Sequence, residues 1–278
     1  MPETTQLTHF HQYENGAWYT HHARVISEAS VSLTVNGQVW LTFMCTPAEL
    51  DALALGFLYN EGLISTMQDI ADVRVCPQLD NVDVWTRIPL EKPAFWRRTS
   101  GCTGGQTSVV EIADQAPPPI LYNGALVSPQ TILSLVNELF ESQELYRQAG
   151  GVHTSALTDC QGAWVSAEDI GRHNTLDKLA GKCLLQPLNV QTRLIMTTGR
   201  ISSEMLQKAA RLGAAVLVSR TSPTALSIQL AESYAITLIG YARRDRFKVY
   251  THPERILDAP IKSKKQTIPD KKTKNAAT

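Results

Sequence analysis

Cys102 stands in the segment Arg97-Arg98-Thr99-Ser100-Gly101-Cys102-Thr103-Gly104-Gly105-Gln106, among glycines and hydroxyl residues and just beyond two arginines. A cysteine attacks as its thiolate, and at an ordinary pKa of about 8.5 little thiolate exists at neutral pH. Nearby cations or oriented N–H groups bring that value down to roughly 3.5–7.5. Gly101, Gly104 and Gly105 let the main chain approach a ligand closely. The setting suits a reactive thiol, whereas Cys45 and Cys183 lie in apolar runs and read as buried structural residues. The plainer alternative is a glycine-rich connector with an incidental cysteine, and the local sequence leaves both open.

Arginine supplies the second chemical signal. Three segments, each following an apolar strand pattern, carry it: Thr197-Thr198-Gly199-Arg200, Ser219-Arg220-Thr221-Ser222, and Tyr241-Ala242-Arg243-Arg244-Asp245-Arg246. In open α/β sheets ligands gather outside the carboxyl ends of the strands. The first two segments run into helix starts, at Ser202-Ser203 and Ser222-Pro223, where unpaired N–H groups favour anions. A phosphorylated or nucleotide-like ligand fits such an edge. Solvated loop charge is the alternative for any one of these arginines.

His153 and the stretch Glu168-Asp169-Ile170-Gly171-Arg172-His173 add polar groups at element boundaries, where a histidine is most often a hydrogen-bonded structural residue. Zinc motifs such as Cys-x-x-Cys or His-Glu-x-x-His are missing from the sequence, so no metal is expected to be bound directly. His9, His11, His21 and His22 fall in a polar leader.

The elements that must position these groups fall into two units. Val31–Val35 and Gln38–Met44 alternate around Asn36-Gly37, which predicts a hairpin with a type I′ turn and the first ordered unit opening at Val31. Thr46-Pro47-Ala48-Glu49 predicts an N-cap, a first-turn proline and a capping box for a helix carrying Leu50, Leu53, Ala54, Phe57 and Leu58. Strands follow around Val73 and Val82, and the prolines of Ala116–Pro119 mark a stiff boundary. Ser128-Pro129 starts a helix through Phe140 that is expected to end near Gly150-Gly151. A strand pair, Thr154–Thr158 and Ala163–Ser166, then leads to a helix around Leu176–Ala180. From Thr192, strands and helices alternate, which predicts parallel βαβ units. The expectation is residues 1–120 as an N-terminal α+β domain with the cysteine loop, 121–257 as a second α/β domain, and 258–278 as a disordered basic tail.

With 278 residues and 43% hydrophobic content the chain can bury one large core or two modest ones. Lys+Arg and Asp+Glu number 26 each, so no global field favours nucleic acid or an anionic membrane, and anion binding must be local. Five cysteines without a paired framework fit a reducing compartment. The absence of a basic-then-apolar leader and of a bilayer-length apolar run adds to the expectation of a cytoplasmic protein.

Gly101-Cys102, Gly151–Ala156, Glu168–His173, Leu176–Leu179, Glu204–Lys208 and Val249–Arg255, in this order, resemble the FdhD/NarQ family of formate dehydrogenase accessory sulfurtransferases. The resemblance runs from about Val31 to Arg255. It implies a sulfur carrier that takes sulfur from a cysteine desulfurase and passes it to the molybdenum cofactor before that cofactor enters formate dehydrogenase. It also implies that the second domain is a cytidine-deaminase-like three-layer α/β/α domain without zinc. The family's persulfide cysteine falls on Cys102, and its segment for Mo-bis(molybdopterin guanine dinucleotide) falls on Tyr241, Ala242, Arg243, Arg244, Asp245 and Arg246. Many members carry a second cysteine three residues on, where this chain has Gly105. Any transfer here must use one sulfur nucleophile.

The expected partners are thus the desulfurase, the formate dehydrogenase apoprotein and the molybdenum cofactor, and a homodimer is compatible with the reading. Two rivals stay beside it. A chaperone that holds the cofactor without moving sulfur needs the arginines and not Cys102. A nucleotide hydrolase, suggested by the deaminase-like fold, lacks the metal and paired acid/base residues its chemistry requires.

Overall fold

The computed structural model describes residues 3–94, 96–98, 106–108, 120, 122–124, 126–162, 164–188, 190 and 192–260. It opens with β1 (Thr5–Glu14) and β2 (Ala17–Ile26), paired antiparallel around Asn15 and Gly16, both at positive φ. Order therefore begins well before Val31, and His9, His11, His21 and His22 sit on this ribbon rather than in an irregular leader. Most of the ribbon is exposed on both faces, so it lacks the buried stripe that reveals a strand in a sequence.

β3 (Ala29–Val35) and β4 (Gln38–Cys45) form the expected hairpin, with Asn36 at φ 48° and Gly37 at φ 80°. The next helix, α1 (Leu50–Asn60), starts later than its capping signal predicts, with Glu49 in left-handed conformation at the N-cap and no side-chain cap. Thr46 is engaged elsewhere. Its N–H donates to the Asp169 carboxylate at 3.1 Å and its hydroxyl accepts from the Ile170 N–H at 3.2 Å. Bonds to a buried carboxylate outweigh a helix cap worth about 1 kcal/mol.

β5 (Ile70–Val75) and β6 (Asn81–Thr86) complete a four-stranded sheet of order β4-β3-β6-β5. Val31, Leu33, Val35, Val82 and Val84 alternate onto its inner face and pack with Leu53 and Phe57 of α1. β7 (Trp96–Arg98) and β8 (Gln106–Ser108) pair antiparallel with Arg98 opposite Gln106. Cys102, between them in the chain, lies outside the described residues, as do Ala116–Pro119 and the tail beyond residue 260.

Ser128 caps α2 (Pro129–Glu141) as its sequence predicts. The single helix expected to reach Gly150 is instead two, because the chain turns at Ser142 and Gln143 before α3 (Glu144–Ala149). Neither residue is a helix breaker. Gln143 is buried and donates its amide to the Thr154 hydroxyl at 2.8 Å, a long-range bond that competes with helix continuation.

The remaining strands are β9 (His153–Thr158), β10 (Trp164–Asp169), β11 (Arg193–Thr197), β12 (Ala214–Ser219), β13 (Thr237–Gly240) and β14 (Lys248–Val249), interleaved with α4 (Arg172–Leu185), α5 (Ser203–Arg211) and α6 (Ala225–Ser233). They form one sheet of order β10-β9-β11-β12-β13-β14. β11, β12 and β13 run parallel as the alternating pattern predicts, while β9, β10 and β14 pair antiparallel and make the sheet mixed. Neighbouring residues face opposite ways. Ile195 and Leu217 meet Leu176, Met205 and Leu206 on one side, whereas Leu194, Met196, Val216 and Val218 meet Ile132, Val136 and Leu139 of α2 on the other. Helices thus cover both faces, and each fully buried Leu or Ile contributes about 1.5–3 kcal/mol.

α1 also crosses α4, and glycine permits the approach. A Cβ on Gly56 would lie 1.7 Å from the Asp177 carbonyl oxygen, and one on Gly181 would lie 1.9 Å from that of Ala52. Around this crossing the buried Lys178 meets Asp169 at 2.7 Å, and Asp177 accepts from Lys208 at 2.6 Å and from the Asn60 amide at 2.7 Å. Among the described residues no helix is long and apolar enough to cross a membrane.

Candidate functional site

The loops after β11, β12 and β13 lie on one edge of the large sheet because these strands are parallel neighbours. Main-chain and hydroxyl bonds tie them together. Ser219 donates its hydroxyl to the Gly199 carbonyl at 2.6 Å, Ala242 its N–H to the Ser219 carbonyl at 3.0 Å, and Tyr241 its N–H to the Thr221 carbonyl at 2.9 Å. Tyr241 adopts φ 53°, the left-handed turn that swings the chain out of β13. Gly240 before it leaves no room for a side chain, since a Cβ would lie 2.9 Å from the Pro223 ring. A bond from the Arg243 N–H to the Arg246 carbonyl at 2.8 Å then closes the loop on itself.

This geometry divides the six loop residues. Ala242 is fully buried as an anchor, and the Tyr241 ring lies under the Lys248 ammonium, 4.6 Å from ring centroid to nitrogen. Arg243, Arg244, Asp245 and Arg246 line a cavity of about 600 Å³. Arg220 joins them from the loop after β12, its guanidinium 5.2 Å from the Phe140 ring centroid. The rest of the lining comes from α2, α3 and the turn between them, with Phe140, Tyr146 and Arg147 among its residues. Five arginines thus face one cavity whose acidic residues are Glu141 and Asp245. Such a surplus of guanidinium favours a polyanion, and the planar forks match phosphate oxygens. Arg200, which the strand-end pattern groups with the other loops, is exposed and does not line this cavity. Arg147 lies far from the other arginines in sequence, and nothing but a basic residue in the last turn of a short helix marks it.

The stretch from Glu168 to His173 does four separate things. Glu168 accepts from the N–H groups of Leu145 and Tyr146, at 2.7 and 3.2 Å, and so holds the first turn of α3. Asp169, at the end of β10, pairs with Lys178 of α4 and accepts from Thr46, joining the segment between β4 and α1 to the large sheet and α4. Gly171 is the N-cap of α4. His173 is buried, with Nε2 at 3.4 Å from the Glu204 carboxylate and 3.5 Å from the Ser202 hydroxyl. Burial holds the His173 imidazole below its usual value, with Glu204 opposing the shift. His153, 3.3 Å from the Thr198 hydroxyl, is held down by burial and by the nearby Arg172 and His173. Glu204 is lowered in turn, chiefly by its bond to His173.

The described cysteines differ in their capacity to react. Burial pushes the Cys45 thiol up to about 12, with Asp169 adding to the effect. Cys160 and Cys183 are raised as well, first by burial. Cys76 sits in the turn between β5 and β6, where its thiol donates to the Asp80 carboxylate at 2.8 Å.

Fold and site define an α/β protein with an arginine-lined cavity at the carboxyl edge of its parallel strands. Residues 26–257 match the FdhD/NarQ family, and the chain belongs to that family. It is 36% identical over 248 residues to the sulfur carrier protein FdhD of Bacillus subtilis (strain 168), covering 88% of this chain and 95% of that protein. It is 32% identical over 255 residues to the protein of the same name from Staphylococcus aureus (strain MRSA252), covering 89% and 95% respectively. A crystal structure described as that of a formate dehydrogenase accessory protein from Desulfotalea psychrophila superposes with a TM-score of 0.78 at 28% identity, covering 92% of this chain and 100% of that one.

Proposed function

We propose that this protein is a cytoplasmic sulfur carrier that supplies sulfur to the molybdenum cofactor destined for formate dehydrogenase. In the loading step the Cys102 thiolate attacks the outer sulfur of a cysteine desulfurase persulfide. The donor's S–S bond breaks, its cysteine leaves as thiolate, and Cys102 carries the new persulfide. The acceptor is the Mo-bis(molybdopterin guanine dinucleotide) cofactor, held through its phosphates by Arg243, Arg244 and Arg246 with Arg220. The arginine-lined cavity carries this reading, because two pyrophosphate groups match a surplus of guanidinium that a neutral or cationic ligand would not offset. The relatives' designation as sulfur carriers supports it, and so does the burial that pushes the thiols of Cys45, Cys160 and Cys183 up, away from the reactive thiolate.

In this reading residues 1–120 present the thiol and residues 121–257 form a cytidine-deaminase-like cofactor domain without zinc, a layout supported by the helices on both faces of the large sheet. The cavity by itself also suits a cofactor chaperone that moves no sulfur. A Cys102→Ser variant separates the two in cells that lack this protein. The carrier reading requires that it fail to restore formate dehydrogenase activity, and full restoration favours the chaperone.

A further inference from the structure

We propose that α3 forms a second, base-recognising wall of the arginine-lined cavity, with Arg147 binding phosphate oxygens and Tyr146 stacking on the guanine. This inference rests on the reading that the cavity holds the guanine nucleotide arm of the cofactor. Arg147 and Tyr146 line the same cavity as Arg243 to Arg246, yet they belong to a different segment of the chain. The Arg147 Nε donates to the Gln143 carbonyl at 3.0 Å, which pins the side chain through Nε rather than through the Nη nitrogens. Tyr146 is 46% exposed, a large aromatic surface beside a cluster of cations. Phe140 is already covered by the Arg220 guanidinium, 5.2 Å from its centroid, so Tyr146 is the ring of this wall that can take a base.

The wall is held in place from outside the cavity. The Glu168 carboxylate bonds the N–H groups of Leu145 and Tyr146, and its Oε1 accepts from the Thr154 hydroxyl at 3.3 Å. Gln143, which turns the chain from α2 into α3, bonds the same hydroxyl. A purine between a fixed aromatic ring and guanidinium groups gains from stacking, and its phosphates gain from paired arginine forks. Two walls from separate segments also distinguish a nucleotide from free phosphate, because only the nucleotide reaches the ring.

Calorimetric titration of the full chain with GDP, and separately with inorganic pyrophosphate, tests the assignment. Both substitutions lie at exposed positions, so the variants are expected to fold. Arg147→Ala is expected to weaken both ligands about tenfold, whereas Tyr146→Ala weakens GDP about tenfold and leaves pyrophosphate unchanged. If both variants bind GDP as the unsubstituted protein does while Arg244→Ala loses affinity, the α3 wall is overturned and the loop reading stands. If the unsubstituted protein binds neither ligand, the cavity reading falls and the wall falls with it.

Discussion

The guanidinium of Arg243 donates a hydrogen bond to the main-chain carbonyl of Arg220. The loop after β13 is thereby fastened to the loop after β12, and arginines from two strand ends act on one cavity. The fastening also orders the long side chain of Arg243 before a ligand arrives, which lowers the entropy lost on binding.

Removing this charge should therefore weaken anion binding without touching sulfur loading. The combined Arg243→Ala, Arg244→Ala, Arg246→Ala variant is expected to bind GDP more than about tenfold more weakly, since bonds to charged groups are worth about 1.5–3 kcal/mol each. Persulfide formation on Cys102 should be unchanged. Titration and mass spectrometry on the same preparation check both halves, and undiminished GDP affinity in the triple variant contradicts the site.

The buried histidines set a direction for the pH dependence of stability. His173 and His153 are held below the ordinary histidine value of 6.5 by burial, with Arg172 adding to both and Lys208 to His173, while Glu204 opposes at His173. The folded protein then binds fewer protons at these rings than the unfolded chain, so their stabilising contribution is present above that value and lost as pH falls below it. Glu204, lowered from 4.5, extends the loss to more acid conditions. Urea midpoints should drop as pH falls from about 7.5 to about 5.5, and His173→Gln should flatten the profile. A profile that His173→Gln leaves unaltered contradicts this.

The α1–α4 crossing has no tolerance for a side chain. Gly56→Ala places a methyl carbon where the Asp177 carbonyl oxygen lies, and Gly181→Ala does the same against Ala52, so the helices must separate. Each substitution should cost about 3 kcal/mol or more, read as a lower denaturant midpoint. Near-native stability in either variant would show that the helices do not meet as described.

Thiol reactivity should follow burial. Cys45, fully buried with its thiol raised to about 12, is expected to resist alkylation in the native protein and to react once it is unfolded. Peptide mapping after brief iodoacetamide treatment reads this directly, and rapid native labelling of Cys45 would count against the packing of β4.

Much of the fold is legible in the sequence where the local signal and the tertiary structure agree. Asn36-Gly37 marks its hairpin because the flanking strands alternate into a core, and β11 to β13 announce themselves by their alternation with helices. Asn15-Gly16 carries the same turn signal, yet the strands around it bury too little for periodicity to show. Thr46 and Gln143 mislead for another reason. Each gives up its local role for a bond to a distant residue, Asp169 lying 123 positions from Thr46 and Thr154 lying 11 from Gln143. The site divides in the same way. The arginines of the strand-end loops can be read from their pattern, whereas Arg147 enters the cavity only through the turn at Gln143 and the Glu168 bonds that orient α3.

The proposed function turns on Cys102 carrying the sulfur, with Gly105 rather than a second cysteine three residues on. Incubation of the full chain with a cysteine desulfurase and cysteine, followed by peptide mass spectrometry without reductant, measures it most directly. The Cys102 peptide should gain the mass of one sulfur atom, a gain reversed by reductant and abolished in Cys102→Ala. An unchanged Cys102 peptide, or sulfur transfer that persists in Cys102→Ala, would contradict it.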